Sequence, residues 1–171
     1  MGIEVVIQRA TQEQNIPGDK DFLLWAQSAL NKETQNLEVI IRLVDEDEGR
    51  RLNASFRNRD AATNVLSFPS DLPEAIQSQL ETGTGSRPLG DLVICAPVVI
   101  REALEQGKAV RDHWAHLVIH GILHLLGHVH DNPEQASIME QLEFEILATL
   151  GIADPYKCRL KPLTGDVSGS E

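Results

Sequence analysis

His120-Gly121-Ile122-Leu123-His124-Leu125-Leu126-Gly127-His128-Val129-His130 is the stretch on which the reading of this chain turns. On an α-helix, positions i and i+4 lie about 40° apart around the axis and ~6 Å apart along it, so His120 and His124 can present imidazoles to one ion. Gly127 tolerates positive φ, the common way to end a helix and turn the chain back. His130 can then swing in as a third nitrogen ligand. Three protein ligands leave one tetrahedral position for water, the arrangement of a catalytic zinc rather than a closed structural one. All six histidines fall between His113 and His130, and His116, His120, His124 and His128 form an i, i+4 ladder. His128 and His116 therefore compete for the third place. A site through His128 needs the helix to continue past Gly127, which glycine disfavours. His116, one turn upstream, is the stronger rival.

The same spacing occurs in the long zinc-protease motif His-Glu-x-x-His-x-x-Gly-x-x-His. Here Gly121 stands where that motif carries its general-base glutamate. Without that group the peptidase mechanism loses the carboxylate that activates water and carries its proton. Met139 falls in a later helical segment, so no methionine turn is evident either. A kept metal site without peptidase chemistry is the expectation.

Outward from the histidines, the C-terminal half reads as helical. One helix runs from Pro97 to about Gln106, the histidine helix spans about 111–127, and Pro133 opens a last helix that Gly151 ends after Leu150. The N-terminal half reads as strands with intervening helices. The strands are residues 3–8, which alternate around Val and Ile, Leu37–Val44, rich in β-branched residues, Thr63–Phe68, ended by Pro69, and Leu89–Ile94. Asp19 is a candidate cap for an amphipathic helix through Leu30. The acidic run Asp45–Glu48 precedes a helix reaching Arg57, favourable for the helix dipole. Residues 70–88 form an excursion with Gly83, Gly85 and Pro88, and the tail after Tyr156 carries no element. The expected class is α+β: a small mixed sheet of about four strands packed with about five helices, the histidine helix central. One domain is expected over 1–156, with 157–171 as a disordered tail.

Composition narrows the function classes. Of the 171 residues 42% are hydrophobic, yet no apolar run approaches the length of a membrane span. The N-terminus opens directly into Ile3–Gln8 without a basic, signal-like segment, so a cytoplasmic setting is expected. Cys95 and Cys158 are too few and too far apart for a disulfide framework. The net charge of −11 argues against unspecific adhesion to nucleic acid or membrane. Arg50, Arg51, Arg57 and Arg59, within ten residues free of acid, are the local exception. Such a stripe can dock a phosphate chain or simply be a solvated helix face.

Four ordered blocks resemble the bacterial endoribonuclease YbeY family. They are Arg57–Asp60 with Thr63-Asn-Val-Leu-Ser-Phe-Pro69, Leu89-Gly-Asp-Leu-Val-Ile-Cys95, the histidine run, and Leu150-Gly-Ile-Ala-Asp-Pro-Tyr156. The resemblance covers about residues 3–156, with the blocks in the right order. The resemblance implies a zinc-dependent, single-strand-specific endoribonuclease that acts in 16S rRNA 3′-end maturation and ribosome quality control. It implies RNA and the ribosome or its small-subunit proteins as partners. By position, His120, His124 and His130 match the family's metal triad, and Arg57 matches the arginine needed for activity. One departure is Val129, where the family carries aspartate, with Asp131 following instead. If that aspartate orients the third ligand, Asp131 has to replace it.

Overall fold

The strand Leu37–Val44 (β2) alternates from Leu37 to Leu43, with Leu37, Val39, Ile41 and Leu43 all fully buried, and Val44 is buried on the opposite face. That period of two places one face on a helical layer. The computed structural model describes residues 3–30, 36–57, 63–70, 87–128 and 130–156, the side chain of Arg57 excepted. β1 (Ile3–Ala10) runs parallel to β2. β3 (Val65–Pro69) and β4 (Arg87–Cys95) form an antiparallel pair at the other edge, and β4 runs parallel to β2. The sheet is therefore mixed, in the order β1-β2-β4-β3. Five helices complete the fold: α1 (Asp19–Ser28), α2 (Glu46–Arg57), α3 (Ala96–Gln106), α4 (Val110–Leu125) and α5 (Pro133–Thr149). This is the α+β architecture expected from the sequence.

The two parallel pairings need crossovers, which run through α1 between β1 and β2 and through α2 and β3 between β2 and β4. α4 is the hub, touching α1, α3, α5, β3 and β4. Its Trp114 meets Phe22 of α1 edge to face at 5.7 Å, and Phe22 meets Trp25 in the same way. A smaller cluster of Val44, Leu66, Val93, Cys95 and Val98 lies under Leu52 of α2. Burial pushes the Cys95 thiol up, as suits a packing residue rather than a reactive one.

Local boundaries differ from the expectations in instructive ways. Asp19 is the first helical residue of α1, and Gly18 occupies the cap; the Asp21 carboxylate accepts from the Gly18 N–H at 3.2 Å. β3 begins at Val65 because Asn64 is turned aside. Its side-chain oxygen takes the Val65 N–H at 2.6 Å, and its amide donates to Glu102 of α3 at 3.0 Å. Between β2 and β4 the register slips at Glu38/Val39, where Gly90 sits at φ +146°. A Cβ there would lie 2.5 Å from the Phe68 carbonyl and 2.9 Å from Leu125, so the bulge needs glycine. Among the described residues, no helix is long and apolar enough to cross a membrane. Residues 71–86, Cys158 and the tail 157–171 lie outside the described residues.

Candidate metal centre

α4 ends as its sequence requires. Leu126 is the C-cap and Gly127 takes φ +106°. The Gly127 N–H then reaches the His124 carbonyl and the His128 N–H reaches that of Leu123, both at 3.0 Å. These are the paired bonds of a Schellman motif. The chain turns back on itself, which takes His128 off the helix and brings His130 over the last turn.

Three imidazoles converge there. Ring centroids are 4.9 Å apart for His120–His124, 4.8 Å for His124–His130 and 5.6 Å for His120–His130. One ligand nitrogen from each lies within 4.8 Å of the others. Zinc–nitrogen bonds of ~2.0–2.1 Å in a tetrahedron need nitrogens about 3.4 Å apart, a small inward turn of two half-buried rings and the exposed ring of His130. The donor set suits the ion: neutral nitrogens, and a borderline-soft cation that prefers them. Among the described residues, no fourth histidine, cysteine or carboxylate joins this group. His116 does not enter it, but forms a second group with His120 and Glu143.

Gly121 has a structural reason to be glycine. It points from α4 onto β4, where a Cβ would stand 2.7 and 3.0 Å from the two methyls of Leu92, itself fully buried. The position next to the first ligand thus faces the sheet, and the glutamate of a peptidase has no room there. Gly121→Ala is expected to lower stability by about 1–3 kcal/mol through overpacking, despite alanine's better helix propensity. Gly121→Glu should leave no cooperative thermal transition. Thermal denaturation of the metal-free proteins checks both, and a Gly121→Glu protein melting like the parent would refute the close contact.

Sequence reasoning missed Glu143. It is fully buried on α5, and its Oε2 lies 2.5 Å from Nδ1 of His120. Its Oε1 lies 2.9 Å from Nε2 of His116 and accepts the hydroxyl of Tyr156. Burial alone would raise this carboxyl, but the hydrogen bonds from His116 and His120 outweigh it and hold the group at about 2. Burial also pushes His116 below its ordinary value, against the pull of Glu143. A signal did exist in the sequence. Met139, Glu143 and Leu147, at i, i+4 and i+8, are the buried stripe of α5, and an acid in such a stripe needs a partner.

The remaining expected residues stand apart or beyond view. Arg57 is the last residue of α2, and its side chain lies outside the description; Arg59 lies outside the described residues altogether. Arg50 and Arg51 are exposed on α2. Val129 is likewise not described. Asp131 uses its backbone N–H to reach Gln135 at 3.2 Å, and Asn132 caps α5 by accepting from the Gln135 N–H.

Fold and cluster together define an α+β protein whose central helix carries a three-histidine group able to hold one metal ion. The family model described as endoribonuclease YbeY matches residues 6–151. A Pseudomonas entomophila protein named endoribonuclease YbeY is 54% identical over 90% of this chain and 93% of its own length. Its namesake from Stenotrophomonas maltophilia strain R551-3 is 51% identical over the same shares. A solution structure of a Thermotoga maritima protein, 25% identical, overlays with a TM-score of 0.51, covering 95% of this chain and 100% of that one. The chain belongs to the endoribonuclease YbeY family.

Proposed function

We propose that this chain is a metal-dependent endoribonuclease specific for single strands, acting with one zinc ion held by His120, His124 and His130. The observation that carries the reading is the convergence of those three imidazoles at the capped end of α4, in a chain of this family. When bound, such an ion supplies Lewis-acid polarisation of a phosphoryl oxygen and lowers the pKa of a water toward ~7. His120, His124 and His130 would hold the ion, and three protein ligands would leave a position for substrate or water. Gly121 adds no general base, in keeping with phosphodiester rather than peptide hydrolysis. Arg57 is assigned the charge that accumulates on the phosphate in the transition state, which a planar guanidinium meets with paired hydrogen bonds. Exposed Arg50 and Arg51 draw the phosphate backbone to an otherwise acidic body. One domain over 1–156 carries the activity. Its substrate in the cell is 16S rRNA, at 3′-end maturation and in ribosome quality control, with the small subunit as partner and the cytoplasm as the place.

Chelator-stripped protein, re-supplied with zinc, is the test. It should cut single-stranded RNA at least ten-fold faster than duplex of the same sequence, and leave an unfolded protein substrate intact. Intact RNA with a fully loaded protein would remove the nuclease reading, and cleavage of the protein substrate would replace it with an amide hydrolase.

A further inference from the structure

Behind the three-histidine group lies a second layer that the spacing of the histidines does not reveal. Glu143 comes from α5, 23 residues along the chain from His120, and reaches that ring at 2.5 Å. Both its oxygens are used, one by His120 and the other by His116 together with Tyr156. A fully buried carboxylate is costly unless each partner donates to it. The contacts at 2.5 and 2.9 Å fit a carboxylate that accepts from all three, with the protons on Nδ1 of His120, Nε2 of His116 and the Tyr156 hydroxyl. His120 then has one lone pair left, on Nε2. The same ring is the one shared by the two possible metal groups, His120–His124–His130 and His116–His120–Glu143. A proton on Nδ1 excludes that nitrogen as a ligand and so decides between them.

We propose that Glu143 is a positioning residue of the metal centre: by taking the Nδ1 proton it locks His120 in the tautomer that leaves the Nε2 lone pair for an ion shared with His124 and His130. His116 and Tyr156 act one step further out, holding the carboxylate in place. This rests on the reading that the three histidines are the ligands. The carboxylate also raises the basicity of the His120 nitrogen that meets the ion, the usual effect of an acid hydrogen-bonded to a ligating imidazole. Tyr156 gives the block Ala-Asp-Pro-Tyr a task. Its backbone N–H is held by the Asp154 side chain at 2.9 Å, which delivers the hydroxyl to Glu143.

Nitrogen NMR of the histidine-labelled parent protein reads the tautomer directly. His120 should carry its proton on Nδ1 without metal and keep it when zinc is added, with the metal-induced shift on Nε2. A His120 protonated on Nε2 in the metal-free protein, or zinc on its Nδ1, overturns the proposal. Glu143→Gln adds a second readout: zinc affinity by chelator competition should fall about 10–100-fold. If this variant does not fold, the NMR of the parent decides alone. Unchanged zinc affinity in a folded Glu143→Gln protein overturns the role of Glu143 and leaves the ligand triad standing. Loss of all binding in Glu143→Gln, with His124→Ala binding as the parent does, would instead place the ion between His116, His120 and Glu143 and remove both readings.

Discussion

His124→Ala is expected to take the protein from about one zinc per chain to almost none after dialysis, and to abolish RNA cleavage. Two remaining imidazoles cannot hold the ion in the proposed three-histidine site. The loss should be specific. His124 is only half-buried, at the end of a helix whose other side carries the core contacts of Trp114, Val118 and Ile122. The metal-free variant should therefore unfold near the metal-free parent. The parent should gain ~4 kcal/mol when free zinc exceeds its dissociation constant a thousand-fold, and the variant should gain nothing. Metal analysis and paired melts with and without zinc measure both effects. Full stoichiometric zinc in His124→Ala would sink the triad.

Arg57→Ala should lower kcat by at least ~10²-fold with metal content intact, the scale for losing one preorganised charge donor. Its neighbours provide the contrast. Arg50→Ala and Arg51→Ala, exposed on the same helix, should weaken RNA binding and flatten its salt dependence while sparing the rate at saturation. Single-turnover cleavage of a single-stranded RNA at saturating enzyme separates the two behaviours. An Arg57→Ala protein that cleaves at the parent rate once saturated would make Arg57 a docking residue and return the phosphate charge to another group.

By itself the sequence determined what depends on neighbours a few residues apart. β2 is rich in β-branched residues, a signal that needs no help from the rest of the fold, and the strand forms over the expected limits, Leu37–Val44. The turn at Gly127 follows from one residue that tolerates positive φ, and with it the return of His130 over the end of α4. The α+β class follows from strands in the first half and helices in the second. Tertiary structure alone decided what depends on surfaces meeting across the chain. Strand order β1-β2-β4-β3 arises from which faces the crossovers cover, and no local pattern encodes it. Gly121 looks like a missing catalytic residue until Leu92 is seen against it, 29 positions away in the chain. Glu143 is a charge in an apolar stripe, a conflict visible in the sequence. Its resolution needs His116, His120 and Tyr156 from two other segments, because a buried carboxylate is stable only where donors converge on it in space.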